Sequence, residues 1–334
     1  MVALLDRAWR MARRWARENA RPAQYRDALE KHTRAAERAA LSLRIAYYFP
    51  LCWVSLQVLN WQDVARPRYP DLLWPVSWLA WLELPTAGPL LVGACLIGVM
   101  LGAFFSEFRW ARVLACLGLL EFLALKFSLG KIHHLMHGWL LLLATLIWLP
   151  RRWHHPGLMA RATRHELLLV YVGAQLLVGT TYTLAGIGKI LGAAYQATQG
   201  EITALHPSAL SRHVAARLLE TGDTTLWGPW LIERGAWLWP LMLGTLYLQV
   251  FAVSLTMRPR LHGLLGFGLV AFHVLAPASL AIDFTPAVML CGLLYACSAV
   301  RPERWELREL VLDLPLFGSA VRRFSRRLRR NAQP

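Results

Sequence analysis

The chain has 334 residues, 56% of them hydrophobic and 17% charged, with 16 tryptophans and a formal net charge of +16. A soluble domain carries about 25% charged residues, so this deficit excludes a soluble globular chain, a disordered one and a secreted disulfide scaffold; abundant tryptophan points instead to membrane–water interfaces. The basic residues flank an apolar body, which excludes nucleic acid as the expected partner and favours anionic lipid headgroups at the two termini.

In chain order, residues 1–40 read as one or two basic amphipathic helices on the inner membrane surface; their charge-broken pattern is not that of a signal peptide. Eight apolar spans follow, at 41–60, 88–106, 111–128, 136–150, 165–188, 236–257, 262–277 and 286–300. A bilayer needs about twenty residues, so the shorter spans extend into their flanks or insert less fully. Arginine and lysine concentrate in 1–40, 107–112, 151–164, 258–260 and 301–334, and are sparse in 61–87, 129–135 and 189–235. By the positive-inside rule both termini are cytoplasmic and the long 189–235 connection is an outer cap loop. Arg322, Arg323, Arg326, Arg327, Arg329 and Arg330 make 301–334 a basic anchoring tail. The expected fold is an all-α multispanning transmembrane bundle of about eight spans, over 41–300, in a cell inner membrane. Cys52, Cys95, Cys116, Cys291 and Cys297 fall in apolar stretches without zinc spacing and read as small core residues.

Chemistry is sought first among the lysines, because the chain writes nearly all its positive charge as arginine. Lys126, Lys131 and Lys189 lie at the outer half or outer end of spans. A lysine in an apolar setting can lose its proton and act as a base, which arginine cannot. Tyr182, Gly186 and Lys189 share one helical face by i, i+4, i+7 spacing, with Gly186 leaving room for a close neighbour. The plainer reading of Lys189 is a snorkelling residue at a helix end. His133, His134 and His137 open the fourth span, and His133 and His137 have the one-turn spacing of metal ligands. A histidine-box di-iron site needs many more histidines on one side, and His154 and His155 fall on the other, so no metal is expected. His273 lies deep in the seventh span, where an ionisable group is a functional candidate or a buried, hydrogen-bonded neutral imidazole. Glu121 and Lys126 are five residues apart, so each faces a partner on another helix rather than its neighbour.

Four pieces agree in order and spacing over roughly 120–290. They are His133 or His134 at the start of a span; Tyr182-x-x-Ala185-Gly186-x-x-Lys189; Leu210-Ser211-Arg212-His213; and His273 with the run Ile282-Asp283-Phe284-Thr285-Pro286-Ala287-Val288-Met289-Leu290. Together they resemble the integral-membrane domain shared by vitamin K-dependent gamma-glutamyl carboxylases and their bacterial relatives, the horizontally transferred transmembrane (HTTM) group. The resemblance implies a reduced naphthoquinone (vitamin K hydroquinone or menaquinol) oxidised by oxygen to an epoxide, and a strong base that removes a glutamate gamma-proton before carbon dioxide adds. Lys189 corresponds to the base that deprotonates the hydroquinone. His133 or His134 and His273 correspond to residues positioning quinone or carbanion, and Tyr182, Gly186, Glu121, Lys126, Arg212, His213 and Asp283 to the surrounding pocket. Tyr195 stands, at a shifted distance, where the family has a tryptophan, and Gln249 stands where an acidic residue is expected. The carboxylase's large lumenal domain has no counterpart after the last span, so an outer-face partner protein is expected to complete the site for an extracytoplasmic peptide or protein substrate. The alternatives are a non-carboxylating maturation or export factor for a secreted peptide and, with least support, a transporter; the absence of an internal repeat counts against the last.

Overall fold

The structure, a computed structural model, describes residues 22–59, 71–82, 84–129, 132, 134–302, 306–319 and 321. Outside the described residues lie 1–21, Glu83, Lys131, His133 and the tail from Arg322 onward, and with them the expectations attached to those positions.

The first helix, α1, runs unbroken from Pro22 to Leu59. Proline suits the first turn, where its missing N–H has no partner to lose, and no glycine interrupts the run that follows. Ala36, Ala39, Ala40 and Leu43 are at most 3% exposed and recur at helical spacing. They carry the packed face straight through residue 40. The expected change at that point from surface helix to span is therefore absent, because an alanine-rich face packs as well as the leucine-rich one it leads into.

Helices α2 (Leu84–Phe105) and α3 (Arg109–Ser128) form an antiparallel hairpin. They cross where Gly98 and Gly118 meet: a Cβ on Gly98 would stand 2.8 Å from the Leu114 carbonyl oxygen, and one on Gly118 equally close to that of Cys95. Small residues permit this backbone contact in an apolar medium. A 3-10 helix, Trp74–Trp81, sits at the Ser128 end of α3, where the Asp71 N–H donates to the Ser128 carbonyl at 3.1 Å. Helix α4 (His137–Leu146) is fastened by Trp139, fully buried, whose ring stacks on Phe49 at 4.3 Å and whose indole N–H donates to the Pro286 carbonyl at 2.8 Å.

Helix α5 (Arg161–Thr198) has 38 residues, about 57 Å at 1.5 Å per residue, against a hydrocarbon core of about 30 Å. Its last turns therefore project beyond the apolar body. The expected loop at 189–235 begins as this projecting helix, since residues 189–198 hold no proline and include three alanines that offset Gly192, and it continues in α6 (Ala209–Thr221) and α7 (Gly228–Arg234). This cap is tied down by the Trp227 N–H on the Ala278 carbonyl at 3.0 Å and the Trp239 indole on the Leu205 carbonyl at 2.8 Å.

The chain returns through α8 (Trp239–Val250) and α9 (Ala252–Thr256), goes out along α10 (His262–Leu280) and back through α11 (Thr285–Cys291), which widens into a π turn at Gly292–Ala296. Side chains from α5 stabilise that turn. The Tyr171 hydroxyl donates to the Leu293 and Leu294 carbonyls at 3.2 and 3.3 Å, and the Gln175 amide donates to the Leu294 carbonyl and, at 3.0 Å, to the Ser298 hydroxyl. His262 completes the network on Ser298 Oγ at 2.8 Å and the Thr256 carbonyl at 2.6 Å. Buried polar groups in a membrane protein need such partners. Helix α12 (Leu307–Asp313) follows.

The chain is thus all-helical, with no strand among the described residues. Four helices are long and apolar enough to cross a membrane: Leu29–Leu59, Gly88–Phe105, Arg161–Thr198 and Pro259–Leu280. Two shorter apolar ones run over His134–Leu146 and Thr285–Ala296. The other two apolar segments are helical as well, but one carries Arg112, Glu121 and Lys126 and the other is broken at Phe251. The bundle has two unlike ends: the cap end under α6 and α7, and the basic end, where Arg44, Arg112, Arg164, Arg258 and Arg301 lie.

Candidate functional site

At the cap end four helices bring their polar residues together. A Cβ on Gly186 would stand 2.6 Å from the Val250 nitrogen, so only glycine lets α5 lie directly on the backbone of α8. The ladder of α8 breaks just beyond that contact, and Thr183 Oγ1 accepts the Val253 N–H at 3.1 Å. The close approach puts Gln249, buried in an otherwise apolar helix, opposite Lys189, whose Nζ donates to Gln249 Oε1 at 2.6 Å. Lys189 forms no ion pair among the described residues. It lies within α5, about 42 Å from Arg161 along the axis, and not at the helix end.

Two turns before Lys189, the Tyr182 hydroxyl lies 2.8 Å from His273 Nε2 of α10 and 3.1 Å from Cys291 Sγ of α11. His273 is 6% exposed, its ring 5.0 Å from those of Phe272 and Phe284, and its Nδ1 has no partner. Two proton arrangements fit these contacts. In one, the thiol donates to the tyrosine oxygen and the tyrosine to Nε2, with the histidine proton on Nδ1. In the other, Nε2–H donates to the tyrosine oxygen and the tyrosine to the sulfur, with Nδ1 bare. A buried ring nitrogen without a partner is costly. In either arrangement His273 Nδ1 is left without a partner and open to a polar atom that enters beside it.

The remaining expected site residues separate from this cluster. Lys126 Nζ donates to Gln57 Oε1 of α1 and sits 4.8 Å above the Trp53 ring. Glu121 lies near the Trp78 side chain of the 3-10 helix, and its Oε2 is buried without a hydrogen-bond partner. Each does face another element, as their spacing requires. Asp283 Oδ1 accepts the Thr285 N–H at 2.8 Å and its hydroxyl at 2.6 Å, a local pair just ahead of α11, whose N-cap is Phe284. Arg212 and His213 are exposed on α6. No hydrogen bond or ion pair joins any of these five to Lys189 or His273 among the described residues. His134 and His137 approach each other, Nδ1 to Nδ1, at 3.2 Å, and among the described residues no group of three potential metal ligands forms. Gln249 and Cys291 are members that spacing within one helix does not reveal. The signal for Gln249 is an amide buried in a mostly apolar helix, at a position where the resemblance leads one to expect an acid.

Compared with protein-family models, with curated proteins and with solved structures, the chain gives no match. Function must therefore be argued from the residues and their geometry.

Proposed function

We propose that the chain is a multi-pass inner-membrane enzyme that modifies an extracytoplasmic peptide, with Lys189 as its base and a reduced naphthoquinone as its reductant. The observation that carries this reading is the Tyr182–His273 pair beside Lys189, with an unpartnered ring nitrogen between aromatic rings. These residues suit a quinol: Phe272 and Phe284 offer apolar faces, His273 Nδ1 offers a hydrogen-bonding partner to its hydroxyl, and Lys189, held by a neutral amide rather than an acid, is free to exchange a proton. The quinol supplies electrons for oxygen chemistry. Lys189 takes a proton from its hydroxyl, Tyr182 holds the imidazole in place, and Gln249 aims the amine. Both termini are placed in the cytoplasm because arginine gathers at the basic end, which puts Lys189 and the cap outside.

A second reading, a non-carboxylating maturation or export factor for a secreted peptide, draws on a different observation. The cap displays Leu219, Leu226 and Trp237, each more than 80% exposed, an apolar surface that could receive a partner or substrate without any chemistry. Transport has least support.

The deciding experiment gives purified protein in lipid nanodiscs a reduced menaquinone under oxygen and follows epoxide by mass spectrometry. Epoxide made by the wild type and lost in a folded Lys189→Ala variant supports the enzyme. No epoxide from either sinks it and leaves the maturation reading.

A further inference from the structure

At the basic end, the turn at 147–160 is held by side chains whose positive charge is not neutralised. Arg44 of α1 donates through one terminal nitrogen to the His154 carbonyl, and Arg112 of α3, only 2% exposed, donates to the Ser106 carbonyl at 3.4 Å. The Trp153 indole donates to that same carbonyl at 3.0 Å, and the Ser106 hydroxyl lies 3.3 Å from His154 Nε2. Backbone carbonyls satisfy hydrogen-bonding directions but carry no full charge. Neither guanidinium forms an ion pair among the described residues. Both Nε atoms are buried without partners, and so is the hydroxyl of Tyr47, one turn along α1 from Arg44 and itself 2% exposed. A buried permanent cation without an anion is among the costliest arrangements in a protein.

In front of this group lies a concavity of about 160 Å³ lined by Glu37, Ala40, Leu41, Arg44, His154 and Pro156. Along α1 from it, Leu41, Ile45 and Tyr48 are exposed at i, i+4, i+7 spacing and form an apolar stripe beside the cationic recess. A polar anion-seeking recess continuous with an apolar stripe matches a molecule with a phosphate at one end and acyl chains at the other. We propose that this recess is a phosphate-binding site, formed by Arg44 with Arg112 and Tyr47 behind it, that takes the headgroup phosphate of an anionic phospholipid. Glu37, exposed at the rim, disfavours an anion there, so it tunes the site rather than building it. The site is independent of the Lys189 chemistry.

The test uses the full chain, delipidated in dodecyl maltoside, with phosphatidylglycerol and inorganic phosphate as separate probes. Thermal unfolding is followed by tryptophan fluorescence, and retained adducts are counted by native mass spectrometry. Phosphatidylglycerol should raise the unfolding temperature and remain bound. Arg44→Gln should weaken its retention about tenfold or more, the loss expected of one charge-assisted hydrogen bond, and Arg112→Gln, which removes charge behind the recess without a direct bond, should weaken it less. Glu37→Gln should bind at least as well, and Arg234→Gln, on the cap, should bind unchanged. If inorganic phosphate stabilises equally and displaces the lipid, the site stands with the free anion as its ligand. Equal retention by wild type and Arg44→Gln overturns the proposal, as does the absence of stabilisation by either probe beyond sodium chloride of equal ionic strength. Arg44 is only half-buried, so its variant decides the matter even if Arg112→Gln does not fold.

Discussion

The two ends of the bundle hold positive charge in different ways. At the cap end two lysines, half-buried Lys126 and exposed Lys189, each meet a glutamine from a neighbouring helix: Lys189 with Gln249, Lys126 with Gln57. A neutral amide accepts a hydrogen bond from an ammonium or from an amine, so these lysines can give up their charge without losing their partner. At the basic end the cations are arginines on the carbonyls of His154, Ser106, Pro156 and Met159. Arginine cannot shed its proton there, so its charge must be met by an anion or endured. One end is built to move protons, the other to hold charge still.

The largest effect that would break this contrast is on activity. Lys189→Ala should lower epoxide formation by about a hundredfold or more, the scale of a lost general base. Lys126→Ala, with the same kind of glutamine partner but no histidine beside it, should stay within about tenfold. Equal losses would mean that charge at the cap end, and not the Lys189 site, is what matters. Gly186→Ala comes next: its Cβ would meet the Val250 nitrogen at 2.6 Å, and the overpacking should cost about 1–3 kcal/mol in thermal or denaturant unfolding. Because the same contact aligns Gln249, this variant should also lose activity.

At the basic end, His154 is pushed down from its ordinary 6.5 to about 4, first by burial and then by Arg44, His155 and Arg112. The folded chain thus resists a proton that the unfolded chain accepts, so stability is lost as the pH falls from about 6.5 towards 4. The loss should be about 1–3 kcal/mol after allowance for solvent screening, read as a falling unfolding temperature that His154→Gln flattens. The smallest effect has a sign that sharpens the contrast. In lipid-free detergent, Arg112→Met should stabilise the chain by about 1 kcal/mol, because it removes a buried unpaired charge. Added phosphatidylglycerol should erase that advantage, since only the wild type gains a counter-ion.

The eight apolar segments were legible because hydrophobic length is a local property, and each is helical in the structure. Their boundaries were less so. Residue 40 marks a change of composition from basic to apolar, but Ala36, Ala39 and Leu43 continue one packed face across it. Likewise the span reads as ending at Lys189, the first charge after its apolar run, yet nothing in 189–198 stops the helix. The candidate site was legible along α5, where Tyr182, Gly186 and Lys189 recur at helical spacing. His273 was legible as an ionisable residue deep in an apolar span, but its meeting with Tyr182, and the parts of Gln249 and Cys291, were not, because crossing geometry set by where glycine permits approach brings them to α5. Asp283, a position of the same motif, bonds to its neighbour Thr285, a local contact that motif position alone does not reveal.

The π turn at Gly292–Ala296 makes chain length itself a structural parameter. It accommodates one residue more than an α-helical turn would, and it lies between Cys291, which faces Tyr182, and Ser298 and Ala299, which meet Gln175 and Tyr171. Removing one residue from it would restore the ordinary pitch and rotate everything downstream by about 100°. Cys291 would keep its neighbour while Ser298 and Ala299 swung away from theirs. Helix α11 and its π turn thus behave like two rulers joined out of phase, and a deletion there changes the phase where a substitution changes only the chemistry.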